Sequence, residues 1–176
     1  MDRLHVNYVE LTRHEAQRCR ELATQQREWS LAHNVRNYKA DDSASNLAIV
    51  EVGIAGEYTV MKALGVGGFY AINTEGTNPE GDVLLPDGQW MEVKTTQRPG
   101  LNMFVASQHD TFAAAYGALV WAMPEPRRYA VVGWCTKDEF DRRKWLETNM
   151  PKPMWLMSWR HLHSCQHWPL FRDSEL

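Results

Sequence analysis

Gly81-Asp82-Val83-Leu84-Leu85-Pro86-Asp87-Gly88-Gln89-Trp90-Met91-Glu92-Val93-Lys94 has the pattern of a β-hairpin. Pro86 sets φ near −65° and Gly88 accepts φ > 0, which suits a type I turn closed by a Gly bulge. In that register Leu85 faces Gln89, and counting back places Asp82 opposite Glu92. Side chains alternate across a strand, so Lys94 shares the face of Glu92 while Met91 and Val93 take the other. Two carboxylates facing each other repel. A divalent cation between them removes the repulsion, and a lysine beside it can hold a nucleophilic water or steady a developing negative charge. Alternating acids, lysines and apolar residues also make an ordinary solvated sheet face, so the Glu-x-Lys triplet is weak by itself. Asp87, lying before Gly88, is turn chemistry and no part of a site.

Upstream, residues 45–65 read as a helix with a polar N-cap and a Gly65 stop. Leu47, Val50, Ile54, Met61 and Leu64 recur at helical spacing, and the gap in the stripe is filled by Glu57 with Tyr58 beside it. A carboxylate bordering a core-facing slot needs a metal, a cation or several donors. The bland alternative runs the stripe through Tyr58 and leaves Glu57 a structural hydrogen bond. Gly53 and Gly56 on the same helix point to close approach to a sheet. Glu51 has no such placement and reads as solvated.

The order Glu57 on a helix, Asp82 at a strand start, then Glu92-Val93-Lys94 on the next strand resembles the PD-(D/E)XK nuclease superfamily. The resemblance covers roughly the middle hundred residues, and the ordered set is more specific than the triplet. It implies an α/β fold with a restriction-endonuclease-like αβββαβ core, a mixed central sheet flanked by helices. It also implies Mg²⁺- or Mn²⁺-dependent phosphodiester hydrolysis, by an endonuclease or exonuclease. In such a site Asp82 and Glu92 are metal ligands, Lys94 is the catalytic lysine, Glu57 is an auxiliary ligand and the Val93 carbonyl is a further one. DNA is the expected partner, with RNA, branched DNA or an inactive binding or inhibitor module as the alternatives. Many such enzymes are dimers, so a homodimer is an open expectation. The motif's Pro is replaced here by Gly81.

The flanking sequence predicts residues 1–40 as a helical arm, 41–140 as the nuclease-like core and 141–176 as a C-terminal helical extension packing on it. In the arm, residues 11–33 carry good helix formers with Thr12 as N-cap. Arg13, Arg18, Arg20 and Arg27 spread along it as a solvated face or, in a sharper reading, as phosphate contacts. In the core, residues 66–72 suggest a first strand, 103–105 a third strand and 108–115 a second helix. Residues 116–123 and 129–135 read as buried strands around a Pro124-Glu125-Pro126 turn.

At 176 residues and 44% hydrophobic content the chain can bury a sizeable core. Its net charge of −3 argues against a strongly basic, sequence-independent nucleic-acid binder, though an acidic active site needs only a local basic rim. Three widely spaced cysteines argue against a disulfide framework and fit a reducing cytoplasm. No signal peptide or membrane-spanning run is read. His161, His163, Cys165 and His167 match no standard zinc spacing. Most of the eight tryptophans read as packing, and Trp90 lies on the site face.

Overall fold

A computed structural model of the chain describes residues 6–33, 45–76, 79–106, 109–149 and 153–168. The N-cap expected ahead of residue 45, Gln108, Pro151 and Lys152 lie outside these residues. The chain is mixed α/β. It runs β1 (Asn7–Glu10), α1 (Arg13–Ala32), α2 (Ser45–Leu64), β2 (Val83–Leu84), β3 (Trp90–Thr96), β4 (Met103–Ala106) and β5 (Tyr116–Ala122). It continues with β6 (Arg128–Thr136), α3 (Lys137–Arg143), β7 (Trp145–Glu147) and β8 (Met154–Met157). A five-stranded mixed sheet has the order β1-β6-β5-β3-β2, in which β3 and β5 are parallel and the other pairs antiparallel. A second sheet, β4-β8-β7, is antiparallel throughout.

The two faces of the larger sheet bury two cores. On one face α1 and α2 bring Cys19, Leu22, Ile54, Val60 and Met61 against Met91 and Val93 of β3. On the other, Leu119 and Val132 pack with Met103, Val105 and Met157 of the second sheet and with Phe140 of α3. Helix α1 starts where sequence places it, at a capping box: the Thr12 hydroxyl accepts from the Glu15 N–H at 3.1 Å and the Glu15 carboxylate accepts from the Thr12 N–H at 2.7 Å.

Several expectations are corrected. The first forty residues do not form a separate arm, because β1 pairs with β6 and α1 buries Cys19, Leu22 and Ala23 in the common core. Residues 66–72 hold a 3₁₀ turn at Phe69–Ala71 in place of a first strand. The run of Gly65, Gly67 and Gly68 supplies the reason, since two of them take φ of +67° and +62° and interrupt any extended pairing. Residues 109–115 are not α-helical, so the crossover from β3 to β5 passes through β4 of the second sheet and not through a helix. The strand expected at 103–105 exists but pairs with β8. The C-terminal part is α3, the β7–β8 pair and two 3₁₀ turns, Trp159–His161 and Cys165–His167, not two helical patches. It does pack on the core, through Leu162, Cys165 and Trp168. Among the described residues no helix is long and apolar enough to cross a membrane.

Candidate active site

The hairpin turn sets the geometry of the site. The Gly88 N–H reaches the Leu85 carbonyl at 2.9 Å, the Asp87 carboxylate accepts from the Gln89 N–H at 3.0 Å, and the Leu85 N–H donates to the Gln89 carbonyl at 2.8 Å. That is the register expected from Pro86-Asp87-Gly88, and it continues as Leu84 opposite Trp90 and Val83 opposite Met91. At Asp82 the strand leaves the ladder. Its N–H donates to the Met91 carbonyl at 2.9 Å, and its carboxylate, which counting placed against Glu92, accepts from the Val93 N–H at 2.7 Å.

That bond fixes a second group. In a strand, the N–H and C=O of one residue point to the same side. The Val93 carbonyl therefore faces the edge where Asp82 sits, and β2 has already ended there. Just before it, Gly81 has φ +150°, and a Cβ at that position would lie 3.0 Å from the Trp90 Cβ and 3.2 Å from the Met91 carbonyl. Proline cannot adopt that φ. The replacement of the motif's Pro by Gly81 is thus a backbone requirement of this hairpin.

Glu92 and Lys94 project from the opposite face of β3 to Met91 and Val93, as alternation requires. Both are about three-quarters buried, and the Lys94 ammonium is hydrogen-bonded to the Glu92 carboxylate as an ion pair. The hairpin therefore brings Asp82, Val93, Glu92 and Lys94 to one short length of β3. Glu57 is placed differently. It lies half-buried on α2, the helix that covers the Met91 and Val93 face, and its charge is felt at the Cys19 thiol of α1. Next to it Gly56 allows α2 and β3 to touch, since a Cβ there would overlap the Thr95 hydroxyl oxygen. Tyr58 stacks on Phe69 with centroids 3.9 Å apart and donates to Glu15 at 2.9 Å, so the apolar stripe of α2 runs on both sides of Glu57.

The donors fit a hard cation in kind. Asp82, Glu92 and the Val93 carbonyl offer only oxygen, the ligand type that Mg²⁺ and Mn²⁺ select, and the Asp82 carboxylate already adjoins the Val93 backbone. Among the described residues, no three His, Cys, Asp or Glu side chains converge as a ready-made metal group. Sequence reasoning passed over Thr95, one residue beyond Lys94, whose buried hydroxyl has no hydrogen-bond partner among the described residues. The signal available was Gly56, a small residue on the helix facing that strand.

Other candidates take structural roles. Cys165 donates to the Val131 carbonyl at 3.2 Å and His163 pairs with Glu139 at 2.8 Å, which occupies two members of the His/Cys cluster elsewhere. Burial pushes the Cys19 and Cys135 thiols up to about 12 and that of Cys165 up to about 11, so none is a nucleophile near neutral pH. Trp134 and Trp168 are core residues, and Trp90, Trp155 and Trp159 pack against the second core. Glu51 is held by Arg20 at 3.3 Å. Comparison of the chain with protein-family models, with curated proteins and with solved structures found no match, so its functional reading rests on the geometry of this hairpin.

Proposed function

We propose that this protein is a divalent-metal-dependent nuclease that hydrolyses phosphodiester bonds in DNA, working from a reduced restriction-endonuclease-like core of α2, β2, β3 and β5. One observation carries the reading: a turn-locked register sets Asp82, Glu92 and Lys94 on one hairpin, with the Asp82 carboxylate docked on the Val93 backbone. A solvated sheet face has no need to curl an aspartate onto its own strand edge, or to keep a Glu-Lys pair three-quarters buried.

Asp82, Glu92 and the Val93 carbonyl would hold Mg²⁺ or Mn²⁺, with Glu57 as the auxiliary acid. The metal, when bound, supplies charge neutralisation at phosphate and a more acidic water. Lys94 contributes a fixed ammonium that orients the attacking water or offsets charge building on the phosphate oxygens. Glu92 holds that ammonium in place in the free protein. The apolar packing of Met91 and Val93 behind them keeps the strand from shifting register, since a one-residue slip would send all three side chains to the wrong face.

A second reading is favoured by the engagement of both carboxylates, Asp82 with Val93 and Glu92 with Lys94: a nucleic-acid-binding or inhibitor module on the same fold. Cleavage assays decide between them. Plasmid and oligonucleotide DNA, RNA and branched junctions are incubated with Mg²⁺ or Mn²⁺ and wild type, Asp82→Ala, Glu92→Gln or Lys94→Ala. The nuclease reading expects cutting by wild type alone, with unchanged melting temperatures. Equal cutting by all four proteins overturns it. Folded wild type that cuts nothing leaves the binding module, and cutting confined to RNA or junctions reassigns the substrate.

A further inference from the structure

Two clefts adjoin at the turn between β5 and β6. The first, of ≈ 350 Å³, is walled by Arg13, Arg20, Glu51 and Arg127 over a floor that includes Cys19 and Tyr129. The second, of ≈ 250 Å³, runs from Gln97 and Val52 to Arg128, and it shares Pro126, Arg127 and Tyr129 with the first. Four arginines thus face Glu51 and Glu125 in a chain whose net charge is −3. The basic residues are gathered here against the overall composition.

The arginines are not consumed by their ion pairs. Arg20 meets Glu51 through Nε at 3.3 Å, and Arg127 meets Glu10 at 3.8 Å, so neither presents its planar fork to a carboxylate. Arg127 also sits at φ +64°, in the left-handed region that a long side chain rarely occupies. Such a position is costly unless the side chain it aims has a use. The second cleft begins at Gln97, three residues beyond Lys94, a distance of about 10 Å along an extended chain.

We propose that the joined clefts bind the sugar–phosphate backbone of the DNA strand leaving the candidate active site past the end of β3. Arg13, Arg20 and Arg127 contact its phosphates. The inference rests on the nuclease reading for the identity of the ligand, but the cleft has its own test. Only a strand long enough to reach from Lys94 past Gln97 uses these arginines. A short oligonucleotide that fills the hairpin site alone does not.

Arg127→Gly separates a binding role from a structural one, because it removes the guanidinium and relaxes the backbone together. Binding of fluorescein-labelled short and long DNA oligonucleotides is followed by anisotropy in Ca²⁺ over a range of salt. The expected result is an unchanged or raised melting temperature with about tenfold weaker binding of the long oligonucleotide. The plot of log affinity against log salt becomes shallower by about 0.7–0.9 for each phosphate that the variant no longer neutralises. Adding Arg13→Gln and Arg20→Gln deepens both effects, while the short oligonucleotide keeps its affinity. Folded variants that bind the long strand with wild-type affinity and salt dependence overturn the proposal. If wild type cuts DNA while these variants bind normally, the cleft alone is refuted. Wild type that binds DNA through the arginines without cutting refutes the nuclease reading alone, and wild type that neither binds nor cuts refutes both.

Discussion

Strand β3 presents two faces built to opposite rules. Met91, Val93 and Thr95 meet helix α2 in a dry interface where Gly56 allows contact with the Thr95 side chain. Glu92 and Lys94, on the other face, are charged, paired with each other and still about a quarter exposed. The contrast shows that burial alone does not mark a site on this strand. The packing face is the more buried, and the chemistry lies on the face that keeps some solvent and draws Asp82 to its edge.

The widest separation between the faces is in activity. Lys94→Ala is expected to lower the cleavage rate by about a hundredfold to a thousandfold while leaving the melting temperature near that of wild type. A large loss of stability in that variant would move Lys94 to the structural side of the comparison. The packing face is expected to answer in reverse. Gly56→Ala drives a methyl into Thr95 and should cost about 1–3 kcal/mol in chemical unfolding. Thr95→Ala should be close to neutral, since its hydroxyl has no partner among the described residues to lose, and it should restore much of the stability of the Gly56→Ala protein in a double-mutant cycle. Additive effects would mean that the two residues do not share the contact.

A smaller effect tests the helical layer behind the packing face. Burial raises the Glu15 carboxyl, but the Lys62 ammonium, the Thr12 N–H and the Tyr58 hydroxyl outweigh it and bring the group from 4.5 to about 2. A depressed folded-state value stabilises the protein fully above 4.5, and the contribution is lost as pH falls toward about 2. Glu15→Gln is therefore expected to cost about 1 kcal/mol near neutral pH, with the difference from wild type closing across that acid window in thermal melts. A constant difference at all pH values would show that Glu15 acts by shape alone. The smallest effect belongs to Glu57. Because its helix covers the opposite face of β3, Glu57→Gln should weaken Mn²⁺ binding in calorimetry by less than Asp82→Asn does. Equal losses would place Glu57 among the primary ligands.

The hairpin was legible in sequence because its register is local: Pro86, Asp87 and Gly88 set the turn, and alternation does the rest as far as Val83. Asp82 marks the limit of counting, since its carboxylate found a backbone donor that no pattern announces. The same distinction runs through the fold. Helix α1 is written in the Thr12 and Glu15 capping pair, and β5 and β6 in their apolar runs. The partner of β4 is not written there. Met103, Phe104 and Val105 read as a strand, yet a short apolar run does not say which sheet it joins, and that choice was made by Met154–Met157 far down the chain. β1 was hidden for a related reason, being an edge strand with only Val9 buried, so its pattern is mostly polar. Arg127, the residue with the clearest basic role outside the hairpin, was invisible because the left-handed φ that aims it is set by the turn's closure and not by composition.

The pairing of β1 with β6 also orders events in time. Asn7 stands beside Val131, so the first strand made must wait for one of the last before its edge is satisfied. During synthesis α1 and α2 can form early, from local capping and helical spacing, but the sheet they cover stays incomplete until β6 has left the ribosome. Closing so long a loop is slow compared with forming a helix. The nascent chain consequently carries Val9 and Leu11 uncovered through most of its translation, which makes this N-terminal segment a place for a chaperone to act.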